Sequence, residues 1–339
     1  MSEKRPIDRL RESAGKMEIG SADDSSAITA MIPICDVLYI VKENGIYAVK
    51  LADSIDPERL NPNIPNIQQR VLTCGSESEL VGRTLLTANS LFKKTYLPPT
   101  FDCERAVMLS FDALKDIVAM QEAMEAFRLS ERTEIDAFNN RQKTHGAMIM
   151  PAIGDVAVRC KTFYQKADHA SQSMFSIVKL FYEKDVGTGG FESLAKLAVQ
   201  KYGEDDPFAR FAKDVAPRLK YIRNVRNCLE HPQPPTQMAI VSDFSLGADG
   251  KISPPMIEAV YRSERYSPVP ISWFMADAVD GLSGIFENML AHLCRKHVQY
   301  IGGFPTQVIE LPPEHMQRDN KHVRFSYGVQ INGQIVPAA

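Results

Sequence analysis

Residues 206–232 read DPFARFAKDVAPRLKYIRNVRNCLEHP. Asp206 before Pro207 has the form of a helix N-cap followed by the first helical residue. A cap carboxylate accepts from the free amides of the first turn, and proline suits a position whose N–H has no partner. At about 100° per residue, Phe208, Phe211, Val215, Leu219, Ile222, Val225 and Leu229 fall in one stripe about 120° wide. Pro217 predicts a kink, so the wheel is most secure from Arg218 onward. Pro232 ends the helix at His231. A stripe of this length needs an apolar partner surface.

The stretches upstream supply it. From Glu104, the positions Val107, Phe111, Leu114, Val118, Met124 and Phe127 follow steps of three and four residues, the period of a core-facing helix. A second helix runs through Val156, Cys160, Phe163, Tyr164, Met174, Val178 and Phe181, started or kinked by Pro151. Gly187, Gly189 and Gly190 then break the chain before a short helix from Phe191 to Tyr202. A later amphipathic helix at about 271–298 carries Phe274, Val279, Leu282, Phe286, Met289 and Leu293 and can complete the helical block. Trp273 and Phe274 at its start read as core anchors.

Strand signals lie on both sides. Asn44-Gly45 between Val37–Val41 and Ile46–Val49 is a hairpin signature, because both residues tolerate the positive φ of a type I′ turn. Asp249-Gly250 predicts a second hairpin between Met238–Leu246 and Ile252–Tyr261. Asn332-Gly333 predicts a third, between Val323–Val329 and Ile331–Val336. The expected layout is a mobile tail over 1–30, a small β-containing segment over 31–100, a helical block over 101–232 and a C-terminal α/β segment over 233–339. The fold class is α+β, predominantly helical.

Composition sets outer limits. The 339 residues carry 39 Lys and Arg against 42 Asp and Glu, for a net charge of −3. That balance excludes a polybasic coat, so contact with nucleic acid requires a local patch. The longest uncharged apolar stretch near the start, Ala27–Cys35, is far short of the roughly 20 residues of a membrane span. Asp23 and Asp24 precede it where a signal peptide has basic residues. Six scattered cysteines without a CxxC pair suit reduced thiols. The expectation is a cytoplasmic protein with no membrane partner.

Arg226 is the anomaly in the stripe. Burying a charge without a partner costs several kcal/mol, comparable with a whole stability margin. Arg226 therefore snorkels, pairs with a carboxylate of another helix, or lines a cleft or subunit interface that holds an anion. His231 sits five residues on, roughly 140° around the helix. One straight helix cannot aim both side chains at one point, although Pro232 frees His231 from helical geometry, and two copies related by a twofold axis can also bring such groups together. A histidine at a helix C-terminus is also a favourable dipole partner. Between Arg210 and His231, six cations (Arg210, Lys213, Arg218, Lys220, Arg223 and Arg226) stand against Asp214 and Glu230. This is either the phosphate-binding face or a solvated helix surface.

The string Arg226-Asn227-Cys228-Leu229-Glu230-His231, an Arg followed by a polar residue and then by a His at the end of a long helix, resembles the signature of the HEPN family. The resemblance implies a HEPN-like helical bundle flanked by small β-hairpin-containing segments. It implies a metal-independent endoribonuclease, without cofactor, working as a homodimer whose cleft is lined by the motif of both protomers. On this sequence His231 would be the acid/base that assists attack of the RNA 2′-OH, and Arg226 would hold the charge on phosphorus. Asn227 would position one of them, and Lys220 and Arg223 would contact RNA. The products implied are a 2′,3′-cyclic phosphate and a 5′-OH, in a toxin–antitoxin or antiviral-defence setting with a protein regulator. Members of the family that keep only the bundle act as non-catalytic dimerisation or binding modules for a protein or nucleotide, and that is the alternative.

Three other signals are weaker. Gly75–Thr84 (GSESELVGRT) imitates a P-loop, but its spacing is too long, Arg replaces Lys and two carboxylates would face the phosphates. Gly187-Thr188-Gly189-Gly190 before a helix is either a phosphate cradle or an ordinary turn. His292, Cys294 and His297 are close in sequence but point to different helix faces, against a metal site.

Overall fold

The computed structural model describes residues 4–13, 17–21, 23–141, 147–183, 185–312, 321–331 and 334–337. Helix α1 (Pro6–Glu12) precedes strands β1 (Ile28–Ile34), β2 (Val37–Lys42) and β3 (Ile46–Lys50), the one-turn α2 (Ala52–Ile55) and β4 (Ile67–Leu72). Then α3 (Glu79–Val81) passes through a π-helical turn, Gly82–Leu86, into α4 (Thr87–Leu91). Four helices follow, α5 (Cys103–Asn140), α6 (Val156–Tyr182), α7 (Phe191–Tyr202) and α8 (Pro207–Glu230). Strands β5 (Gln237–Ser242), β6 (Ser245–Leu246), β7 (Ile252–Ser253), β8 (Met256–Tyr261) and β9 (Glu264–Pro270) lead to α9 (Ile271–His297). The last strands are β10 (Thr306–Glu310), β11 (Phe325–Ile331) and β12 (Gln334–Pro337). The fold is α+β, with small antiparallel sheets. Among the described residues no helix is long and apolar enough to cross a membrane.

The chain divides into two compact units, Met1–Met108 with Cys294–Ala339, and Leu109–Leu293. The segment 233–339, one piece in the sequence reading, is thus parted after Leu293. In the first unit β1-β2-β3-β4 form one antiparallel sheet. The expected hairpin forms, pairing Val41 with Ile46. However, Lys42 N–H donates to the Gly45 carbonyl at 2.8 Å and neither Asn44 nor Gly45 has a positive φ, so the turn runs through Glu43-Asn44 and is not the type I′ turn that Asn-Gly implied. The region read as a tail carries α1 and a buried ion pair, Asp24 with Lys42 at 2.9 Å, while Met17 and Ile19 pack on Ile40, Tyr47 and Val49. The second sheet, β10-β11-β12, seats Tyr327, which stacks on Tyr96 at 4.0 Å and donates to the Leu91 carbonyl at 2.7 Å. Its β11 and β12 strands pair antiparallel; the Asn332-Gly333 turn lies outside the described residues.

In the second unit α8 begins as its sequence dictates, with the Asp206 carboxylate accepting from Phe208 N–H at 2.9 Å and Pro207 at the first helical position. The helix continues through Pro217. Helix α6 begins at Val156, behind Asp155 in left-handed conformation, rather than at Pro151. Phe274 of α9 stacks on Tyr164 of α6 at 4.9 Å and meets Tyr221 of α8 edge-on at 5.2 Å. On α8, Phe208, Val215, Leu219, Ile222 and Val225 are buried as the wheel requires, while Phe211 and Leu229 are only half-buried. Asn224 and Cys228 are buried instead. The sheet β5-β8-β9 covers that side of the helix: the Cys228 thiol reaches the Val260 carbonyl, and Asn224 donates to Glu264 and Tyr266. The hairpin at Asp249-Gly250 forms in two parts, β6 with β7 and β5 with β8, with Gly250 at φ +77.

Candidate functional site

The motif closes α8. Arg226 lies on the half-buried side, 23% exposed, and its Nη2 is 2.5 Å from Glu230 Oε2, one turn on. Its Nη1 donates to the Asn227 side-chain oxygen at 3.1 Å. Its Nε is 3.9 Å from Asp168 Oδ2 of α6 and buried without a hydrogen-bond partner. Asp168 is itself buried, accepts from Gln172 at 2.7 Å and stands 3.6 Å from Arg223 Nε through its other oxygen. One α6 carboxylate is therefore shared by two guanidinium groups of α8.

His231 leaves the helix with φ −131 and ψ 59, out of the α region that the following proline disfavours. Its N–H still donates to the Asn227 carbonyl at 2.9 Å. Gln237 at the start of β5 bonds the carbonyls of His231, at 2.5 Å, and Asn227, at 3.1 Å, so the helix end is capped by a neighbouring strand. The imidazole is 64% exposed, and its Nε2 lies 3.9 Å from Glu230 Oε2. Arg226 and His231 thus converge on one oxygen of Glu230. A straight helix could not have produced this; the break at Pro232 does.

Of the two residues read as RNA contacts, Arg223 stands beside the motif through Asp168, whereas Lys220 lies elsewhere on the helix surface. Lys220, six residues before Arg226 and about 120° around, pairs with Glu264 at 2.9 Å and Glu192 at 3.4 Å. Those partners raise the Lys220 pKa, and the Tyr266 hydroxyl, followed by Lys220, lowers that of Glu264. Lys220 and Arg223 both line a cavity of about 190 Å³ bounded by Gly189 and Gly190. Arg226 does not line it.

The local basicity of α8 is largely cancelled in space. Arg210 pairs with Asp205, Lys213 with Glu204, Arg218 with Asp277, Lys220 with Glu264, Arg223 with Asp168 and Arg226 with Glu230. A run that looks cationic in one dimension meets carboxylates from four other parts of the unit. Asp168 and Gln172 escaped the sequence reading. The available signal was a charged residue between Ala167 and Ala170 on the apolar face of α6, the same kind of anomaly that singled out Arg226.

Among the described residues no three of His, Cys, Asp and Glu gather in a metal-holding group. All six cysteines are free thiols, and burial pushes Cys160 up to about 12. Compared with protein-family models, curated proteins and solved structures, the chain has no significant match.

Proposed function

We propose that this chain is a metal-independent HEPN-type endoribonuclease whose helical bundle is built from α5 to α9. The observation that carries the reading is the meeting of Arg226 and His231 at Glu230, at the end of a long helix, with the imidazole open to solvent. A neutral His231 takes the proton of the RNA 2′-OH as its oxygen bonds to the adjacent phosphorus. The P–O5′ bond breaks, and the imidazolium returns the proton to the leaving 5′ oxygen. Arg226 neutralises the extra charge on the five-coordinate phosphorus, a task suited to a two-pronged guanidinium. Asn227, bonded to Arg226 Nη1, positions that guanidinium. The products are a 2′,3′-cyclic phosphate and a 5′-OH, and no water or metal enters the balance.

A homodimer places two such motifs across one cleft. In this reading the partners are RNA, a second copy and a protein regulator, and the setting is cytoplasmic defence or a toxin–antitoxin pair. The test is a single 2′-deoxy substitution in an RNA that the protein cleaves. Cleavage should stop at that nucleotide alone and leave cyclic-phosphate ends elsewhere. Cleavage that persists there, or ends in a 3′-hydroxyl, contradicts the mechanism.

A second reading has its own observation in favour. Arg226 is already held by Glu230 and flanked by Asp168, as in a structural ion-pair network. On that reading the chain is a non-catalytic helical module that binds a protein or nucleotide and uses the motif for assembly. His231→Ala would then alter assembly and have no RNA cleavage to remove.

A further inference from the structure

A groove on the second unit is walled by aromatic rings and edged with arginine. It encloses about 340 Å³ between α8, β9 and the start of α9, and its walls include Tyr221, Tyr266, Trp273 and Phe274. Three of these rings form one rigid set: Tyr221 meets Tyr266 edge-on at 4.7 Å and Phe274 at 5.2 Å. Tyr266 is fixed further, since its hydroxyl donates to Glu264 at 2.5 Å and accepts from Asn224 at 2.7 Å. Trp273 is 59% exposed, although an indole of this size is ordinarily well covered. It is the only tryptophan in the chain. Its sequence reading as a core anchor is not met: Phe274 beside it fills that role.

The polar edge is built as deliberately as the wall. Arg218 of α8 donates to the Asp277 carboxylate at 2.5 Å and to the Asp277 carbonyl at 2.7 Å. Its guanidinium lies where a side chain on Gly281 would stand, with its atoms 2.3–2.9 Å from the place of a Cβ. Glycine is disfavoured inside a helix relative to alanine, and here it makes room for that guanidinium across α9. Arg265 adds an exposed cation to the lining.

We propose that this groove holds an unpaired base of single-stranded RNA, stacked on Trp273 and met at its edge by Arg218 and Asp277. Flat aromatic faces beside guanidinium groups are what exposed bases stack on, and a duplex keeps its bases out of reach. The cavity suits one base and its sugar better than a partner helix, which needs an extended trough. Along α8, Arg218 lies eight residues before Arg226, about 12 Å along the axis and roughly 80° around it. That separation spans a few nucleotides, so the base held here flanks the bond to be cut. The proposal rests on the nuclease reading for its ligand, but not for its test.

The measurement uses the full chain carrying His231→Ala, so that RNA is not consumed. A ten-nucleotide single-stranded RNA is titrated while Trp273 emission is followed, and the same sequence as a duplex is the control. Saturable quenching by the single strand, with little by the duplex, is expected. Trp273→Ala in the same background should weaken binding of labelled single-stranded RNA by about ten- to hundredfold, and Trp273→Phe by less. Three results overturn the groove assignment: no RNA binding, binding that leaves Trp273 emission unchanged, or emission that shifts with protein concentration alone, which would place a second copy there. Failure of the nuclease reading shows separately, as wild-type protein that binds RNA and quenches but does not cut.

Discussion

Glu230 stands between the two residues on which the proposed chemistry depends, and its position changes how each can be tested. Arg226 was legible as an anomaly in an apolar stripe, and pairing with another helix was one of the readings open for it. Which carboxylates it meets was not legible, since Asp168 lies 58 residues away on α6. Arg226→Ala leaves Asp168 and Glu230, both nearly buried, without that counter-charge. It should destabilise the protein by about 3 kcal/mol in denaturant unfolding. His231→Ala, at an exposed side chain, should stay within about 0.5 kcal/mol of wild type. An equal loss for both would show that His231 is a packing residue. In the proposed mechanism Glu230, already paired with Arg226, competes with phosphate for it. Glu230→Gln should therefore lower the KM for RNA roughly two- to fivefold; a raised KM would mean that the carboxylate orients the site instead.

At the scale of elements, the sequence reading was best where periodicity or turn chemistry is local. The bounds Phe191–Tyr202 were read directly, Asp206-Pro207 marked the start of α8, and the late helix at 271–298 is found over Ile271–His297. Strands without a turn signal were missed: β1, which begins at Ile28 in the expected tail and runs on into the β-containing segment, β4, β10, and β9, whose hairpin turns through Arg262 at φ +57 instead of a glycine. Strand pairing depends on residues distant in sequence, so no local pattern announced it. The Gly75 stretch illustrates this. It was weighed as a phosphate loop and set aside, but its glycine has a structural reason: a Cβ there would stand 1.9 Å from the Lys42 carbonyl and 2.5 Å from the Gly45 amide. Both neighbours are backbone and cannot step aside. Gly75→Ala should cost about 1–3 kcal/mol, read as a lower unfolding midpoint, and an unchanged midpoint would show that the loop is free to shift.

For the whole molecule, a net charge of −3 hides many local pairs. Several carboxylates are held below their ordinary range: Asp24 by the Ser26 hydroxyl and then Lys42, Asp56 by the backbone amides of Leu60 and Asn61, Glu264 by Tyr266 and then Lys220. A group whose folded pKa is depressed adds stability that is complete above its unfolded value. That stability is lost as the pH falls through the folded value. The Tm should therefore fall steadily from about pH 5 towards pH 2. Asp24→Asn should lower the Tm at pH 7 and flatten that slope, because one of the titrating groups is gone. Parallel curves for the two proteins would remove Asp24 from the acid response. The proposed dimer belongs to this scale as well: sedimentation should find two copies at micromolar concentration, and a strict monomer would leave the proposed cleft with one motif.

The most direct measurement is cleavage of labelled single-stranded RNA and total tRNA in excess EDTA, with wild type and His231→Ala side by side. Wild type alone should cut, leaving cyclic-phosphate ends. Equal cutting by both proteins, or none by the wild type, would contradict a nuclease built on Arg226 and His231.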